Sequence, residues 1–234
     1  MGKYFFGILT SMNSDQIDFR NYIQPYINEF SKESQTIEIL LSVDNETEIQ
    51  NLVLFYGILK HTKHDINFTI LIPNEFDNLM IHLCDNLIKK YNSKFQLKNT
   101  IKFIKCDLGN EFIPELHLIK PNLDKILYVN HNIKIKRDLY KLFNTNFNKN
   151  QIIGMFENNF DLMLMNLRNF RKHDIAYKYN FNKEFCNDPI ENLKTILNES
   201  YVLLFDESLN KKIKHVNTET EYYRKRLIEL RDEF

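Results

Sequence analysis

At 234 residues the chain has the length of one medium domain, and 43% hydrophobic residues are enough to bury a sizeable core. Its 31 basic and 31 acidic side chains cancel to a formal net charge of +0, which excludes the electrostatic footprint of a nucleic-acid binder. With 5 glycines, no Walker lysine and no G-x-G-x-x-G, a glycine-rich phosphate loop is excluded as well.

The first expected element is a short strand from Tyr4 to Thr10. A helix follows, with Phe19, Tyr22, Ile23, Tyr26, Ile27 and Phe30 on one face and Pro25 kinking or breaking it. Ser31 to Gln35 is a polar linker, so residues 1–35 read as an N-terminal strand-helix extension. The apolar run Ile37 to Val43 reads as a buried strand. Asp44-Asn45-Glu46 leads into a helix with Thr47 and Gln50 as a capping box and Ile49, Leu52, Val53, Tyr56 and Leu59 as its apolar stripe. Ile66 to Ile72 is a second strand, ended by Pro73. A second helix carries Phe76, Leu79, Met80, Leu83, Leu87 and Tyr91 on one face, and Ile101 to Cys106 is a third strand. This alternation predicts a mostly parallel sheet with helices on both faces.

Lys125 to Val129 is the next buried strand, followed by Asn130-His131-Asn132 and an amphipathic segment. Gln151 to Phe156 and Leu162 to Leu167 read as strands, and Asn169 to Tyr179 as a helix. Asp188-Pro189 is a helix start, with Asp188 at the N-cap and Pro189 in the first turn. Tyr201 to Phe205 is a short strand. Residues 219–234 form a charged C-terminal helix whose few apolar contacts are Tyr222, Leu227 and Leu230. The main domain therefore spans 36–218.

Cys84, Cys106 and Cys186 are widely separated, contain no C-x-x-C and read as small buried hydrophobes. The odd cysteine count and the lack of a signal-peptide pattern suggest a reducing, cytoplasmic location. No run approaches the roughly 18 apolar residues of a membrane span. Three glycosylation acceptor patterns, at Asn45, Asn67 and Asn198, are read as chance in an asparagine-rich chain.

Three polar residues at the carboxyl end of an apolar strand occupy the place where open α/β sheets bind ligands. Around them, Leu123-Asp124-Lys125-Ile126-Leu127-Tyr128, Asp138-Leu139 and Leu142 match a longer pattern. This segment resembles the centre of family 8 glycosyltransferases, L-P-x-L-D-K-V-L-Y-L-D-x-D-x-x-V-x-x-D-L-x-x-L, and the resemblance extends from about Ile37 to His215. It implies an α/β fold with the GT-A-like open sheet, a uridine diphosphate (UDP) sugar as donor and manganese (Mn2+) as cofactor.

The resemblance also implies a role for each position. Asp44 and Asn45, after the first strand, would contact the nucleoside; the alternative is that one of them caps the next helix. Asn130 and Asn132 stand where the family has two metal-binding aspartates, and His215 where it has a third ligand. Each lost charge removes roughly 4 kcal/mol at about 4 Å in an effective dielectric near 20, so metal binding would be weakened. His131 would add a nitrogen only if it faced inward, and strand alternation predicts that it points away. After His215 the family's glycine and lysine are missing, and an ordinary histidine is the alternative. Asn159 to Leu167 resembles the family's N-S-G-V-M-L-I-N-L strand, with Asp161 at the glycine. Asp161 and Asp188 are the candidates near the donor sugar, Asp188 having the plain N-cap as its alternative. Tyr128, Met155, Met163 and Met165 read as core. The basic group Lys134, Lys136, Arg137 and Lys141 is either a phosphate contact or a solvated face beside Asp138.

Three functions remain open at this level. The chain is a family 8-like transferase that moves a hexose from a UDP-sugar to an acceptor hydroxyl, a metal-independent version of one, or a catalytically inactive pseudo-glycosyltransferase acting as a binding or interaction module. Nucleic acid and membrane are not expected partners. The N-terminal extension or the C-terminal helix would serve a homodimer.

Overall fold

The computed structural model describes residues 36–76, 78–106, 116, 120–157, 159–183, 189–197, 199–206, 213–215 and 220–233. The chain divides into two compact units, Met1–Gln35 and Thr36–Phe234. The strand and helix expected within residues 4–30 lie outside the described residues, as do Cys186, Asp188 and Asn198.

Strands β1 (Ile37–Ser42), β2 (Ile66–Ile72), β3 (Thr100–Lys105), β4 (Lys125–Val129), β6 (Ile153–Phe156), β7 (Asn159–Asn166) and β8 (Val202–Leu204) form one sheet in the order β3-β2-β1-β4-β7-β6-β8. Neighbours are parallel from β3 through β4, and β6 is parallel to β8. β7 is the strand of this sheet that runs against the others. A separate antiparallel pair joins β5 (Ile133–Ile135) to β9 (Ile213–His215). Sequence reading named no strand at 133–135.

The largely apolar sequences of β1, β2, β4 and the second half of β7 follow from burial on both faces. On one face Ile39, Leu41, Phe68, Ile70, Leu127, Val129 and Leu164 pack with α1 (Glu48–His61), α2 (Asn78–Phe95) and the short α3 (Tyr140–Phe143). On the other, Leu40, Ile126, Tyr128, Met155, Met163 and Met165 meet Leu167 and Phe170 of α4 (Leu167–Lys172), Ile175 of α5 (Ile175–Lys183) and Leu193 of α6 (Pro189–Ile196). The fold is α/β, with an open, mostly parallel sheet and helices on both faces.

Several local expectations are corrected. The Thr47–Gln50 capping box does not form. Thr47 makes no side-chain cap, because Asp44 Oδ1 takes its backbone N–H at 2.7 Å and its hydroxyl at 2.7 Å. α1 is buried from Asn51 through Leu59 rather than along one stripe, since it touches α2, β5 and the C-terminal helix α7 (Thr220–Arg231) as well as the sheet. Ile49 and Leu79, each in the first turn of its helix, are exposed. The helix expected from Asn169 to Tyr179 is two helices. Asn166 Oδ1 accepts the Asn169 N–H at 3.1 Å and starts α4 early, and Asp174, at φ 50°, breaks the run before α5.

The C-terminal helix makes ion pairs as well as apolar contacts with α1 and α2. Leu230 is buried, but Leu227 is exposed. Glu229 accepts from Lys60 of α1 at 2.9 Å and from Arg226 at 2.5 Å, and Lys90 of α2 pairs with Glu233 at 2.8 Å. No helix among the described residues is long and apolar enough to cross a membrane.

Candidate functional site

Parallel pairing sets the carboxyl ends of β1 and β4 side by side, with Leu40 level with Tyr128. β7 enters the same edge from the opposite direction, with Leu162 opposite Val129. The next residues out are Asp161 and Asn130, and the Asn130 N–H donates to the Asp161 carbonyl at 2.7 Å. Asp44, the polar triplet and Asp161 are thus delivered to one edge by three different strands.

The triplet is a turn rather than strand. The Ile133 N–H donates to the Asn130 carbonyl at 3.1 Å, and the Asn132 N–H to Asn130 Oδ1 at 3.3 Å. Asparagine favours this shape because its side-chain carbonyl takes a backbone N–H two residues on. Alternation therefore stops at Asn130, and the strand periodicity used to orient His131 does not reach it. Burial holds the His131 imidazole below its ordinary pKa, while the nearby Asp44 and Asp161 carboxylates push it back up. His131 thus lies half-buried within electrostatic reach of both acids.

Tyr128 is buried beneath the turn. Burial raises the pKa of its hydroxyl, the Asp161 carboxylate raises it further, and a hydrogen bond with the Asn130 side chain pulls the other way. Sequence reading assigned Tyr128 to the core, and it is buried there with Ile126, Met163 and Met165. Asp161 is half-buried, and its N–H donates to Asn159 Oδ1 at 2.9 Å.

The other candidates are placed as follows. Asp44 organises the turn into α1: besides the two Thr47 contacts, Oδ1 takes the Glu46 N–H at 3.0 Å. Asn45 is exposed on that turn. His215 reaches the site through β9, whose backbone pairs it with Ile133, next to Asn132. Asp188 lies outside the described residues, just before α6, which starts at Pro189 as expected. The basic group is divided: Lys134 Nζ sits over the Tyr222 ring of α7 at 3.8 Å, whereas Lys136 and Lys141 are exposed. Asp138 turns away from them and holds His64 Nδ1 at 2.9 Å.

Other residues of the matched pattern have structural work. Asp124 pairs with Arg168 and with Arg171 of α4, each at 3.2 Å, tying the start of β4 to that helix. Asn166 is the α4 cap.

A divalent cation facing phosphates favours anionic oxygen ligands. The described residues do not fit one. Asn130 and Asn132 are neutral, the Asn130 side-chain oxygen is engaged by the Asn132 N–H, and Asn132 is exposed. Among the described residues no group of three His, Cys, Asp or Glu side chains is arranged to hold a metal ion.

The fold is similar to that of solved glycosyltransferases. This is the GT-A glycosyltransferase fold. The glycosyltransferase GlyE of Streptococcus pneumoniae TIGR4 matches with a TM-score of 0.58 at 13% identity, over 75% of this chain and 46% of that one. Its apo form matches with a TM-score of 0.60 at 14% identity, over 84% and 62%. The galactosyltransferase LgtC, in complex with donor and acceptor sugar analogs, matches with a TM-score of 0.58 at 15% identity, over 81% and 82%. The chain thus spans 46% to 62% of the GlyE chains and most of LgtC. Neither a protein-family model nor a curated protein matches the sequence.

Proposed function

We propose that this protein is a glycosyltransferase that moves a hexose from a UDP-sugar to an acceptor hydroxyl. The observation that carries the reading is the convergence of Asp44, the Asn130–Asn132 turn and Asp161 at one edge of a GT-A sheet, with His215 paired beside the turn. LgtC is described with donor and acceptor sugar analogs bound, which supports a donor and an acceptor here.

In this reading Asp44 and Asn45 meet the nucleoside, Asn130, Asn132 and His215 flank the diphosphate, and Asp161 and Asp188 face the sugar. The acceptor oxygen bonds to the anomeric carbon as the bond from that carbon to the diphosphate oxygen breaks. UDP leaves with the electron pair, and the hydroxyl proton passes to a base. Amide and N–H dipoles aimed at the leaving group stabilise the charge that develops on it. No step is routed through a cation.

The test is release of UDP from UDP-glucose and UDP-galactose in the presence of sugar acceptors. Acceptor-dependent release is expected, reduced at least about tenfold by Asp161→Asn, the loss of one group acting in the transition state. Release that does not depend on acceptor, or that Asp161→Asn leaves unchanged, would count against the assignment.

A second reading, a catalytically inactive binding module, is favoured by one observation. Asp161 places a carboxylate where the family pattern has glycine, and this narrows the space for a sugar. Under this reading UDP-sugar binds and no turnover follows.

A further inference from the structure

We infer that Asn51 is a positioning residue of the donor site, acting through the Thr47 hydroxyl to fix the Asp44 carboxylate and leave its Oδ2 for the nucleoside. The inference rests on the UDP-sugar reading above and deepens it. Asp44 Oδ1 is engaged within the turn into α1. It accepts the Glu46 N–H at 3.0 Å, the Thr47 N–H at 2.7 Å and the Thr47 hydroxyl at 2.7 Å. Asp44 is exposed, and its Oδ2 accepts no hydrogen bond among the described residues. An ionised carboxylate only accepts, so Oδ2 suits a donor group, a ribose hydroxyl or a base N–H.

The direction of the Thr47 hydroxyl is set from the other side. Asn51 is buried, 0% exposed, one turn further into α1. Its Nδ2 donates to the Thr47 carbonyl at 3.0 Å and to Thr47 Oγ1 at 3.1 Å. A carbonyl can only accept, so the amide nitrogen must face it, and this fixes which end of the Asn51 amide meets the hydroxyl. Thr47 Oγ1 also accepts the Asp44 N–H at 3.3 Å. With both lone pairs taken, its proton is directed to Asp44 Oδ1. Helix capping accounts for the Asp44 contacts but not for Asn51. The Thr47 carbonyl already accepts the Asn51 backbone N–H at 2.9 Å, so the Asn51 amide satisfies no unpaired group of the helix start. Its Oδ1, meanwhile, is buried without a partner. A leucine there would bury apolar surface and leave no unpaired oxygen. What the asparagine adds is order in the hydroxyl and, through it, in the carboxylate. A carboxylate ordered before binding loses less freedom when a ligand arrives.

The test uses the full chain with UDP as the probe, titrated calorimetrically with and without manganese. Wild type is compared with Asn51→Leu, Thr47→Val and Thr47→Ser, and chemical unfolding midpoints are measured alongside. Asn51→Leu and Thr47→Val should each weaken UDP about fivefold, the usual effect of one lost hydrogen bond. Thr47→Ser keeps the hydroxyl and should bind UDP like wild type. Asn51→Leu removes a buried unpaired oxygen, so its midpoint should stay at or above the wild-type value while affinity falls. In an Asp44→Ala background Asn51→Leu should cause no further loss, because its effect passes through that carboxylate. By proton resonance, the Thr47 hydroxyl should be held from solvent exchange in wild type and released in Asn51→Leu.

Unchanged UDP affinity in Asn51→Leu, or a loss of the same size in the Asp44→Ala background, overturns the inference. A lowered midpoint in Asn51→Leu, up to failure to fold, assigns Asn51 to the fold and overturns its positioning role. Thr47→Val against Thr47→Ser then decides whether the hydroxyl orders the carboxylate, equal affinities counting against it. Absence of UDP binding by wild type in either buffer overturns the UDP-sugar reading instead, and the exchange of the Thr47 hydroxyl proton still decides whether Asn51 orders this turn.

Discussion

Gly154 in β6 is where a single side chain decides the packing of the far end of the sheet. A Cβ built there would stand 2.7 Å from Cε1 and 2.8 Å from Cζ of Phe205, whose ring packs at 5.2 Å against Phe156. The Phe205 N–H is also anchored to the Met155 carbonyl at 2.8 Å, so the backbone is held and relief must come from turning the ring against Phe156. Gly154→Ala should destabilise the protein by about 1–3 kcal/mol, the usual effect of overpacking a filled core, measured as the shift in chemical unfolding midpoint. An unshifted midpoint would mean that Phe205 has room to rotate. Nothing in the sequence marks this glycine, since its neighbour lies 51 positions away (205 − 154) and the contact exists only after β8 has paired with β6. The turn at Asn130–Asn132 is a similar case: the strand before it was legible from its apolar residues, but the turn was hidden by reading the triplet as an extension of the strand. Asp44 was legible in both of its aspects, at a strand end and before a helix, and the structure makes the helix-side contacts explicit.

Helix α7 was read as a charged tail, and the charges turn out to be its attachment. Burial pushes the Glu229 pKa up, but hydrogen bonds from Lys60 and Arg226 outweigh it and leave the group below its usual range. His61, in the last turn of α1, lies beside this group. Burial, followed by the positive charges of Arg226 and Lys60, holds its imidazole below the ordinary 6.5, and its Nε2 is buried without a hydrogen-bond partner. A histidine with a depressed folded-state pKa binds fewer protons folded than unfolded, so stability declines as pH falls from its unfolded value near 6.5 through the lower folded one. Acid should therefore loosen α7. Amide hydrogen exchange across 220–231 is expected to quicken, relative to the intrinsic rate, between pH 7 and about 5, and His61→Gln should remove that dependence. His131 and His173 are depressed as well, so global stability should retain part of its slope in the variant. Exchange in α7 that ignores pH, or that responds equally in His61→Gln, would contradict this. Lys134 over the Tyr222 ring links the same helix to β5, and β5 is the strand that pairs with His215.

For the whole molecule, the parallel half was readable because its signals are local. β1, β2 and β4 are largely apolar, and helical segments separate the first strands, which is the pattern of parallel crossovers. The second half was less readable for reasons of chain geometry. β8 and β9 have three residues each and β5 has three, too short to show any period. α4 and α5 share one helical-looking stretch that only the left-handed Asp174 divides. The edge of the site follows from sheet order, with β4 between β1 and β7, and no local pattern encodes that order. The family-like pattern carried it instead, which is why the position of the site was legible while its internal hydrogen bonding was not.

The most direct measurement is peptide-level hydrogen exchange with UDP-glucose or UDP-galactose added. The account predicts slowed exchange in three separated stretches, 43–47 after β1, 128–133 across the turn and 159–162 at the start of β7, because these converge on one sheet edge. Protection confined to other surfaces, or no change in any of the three at saturating nucleotide sugar, would contradict a donor site there.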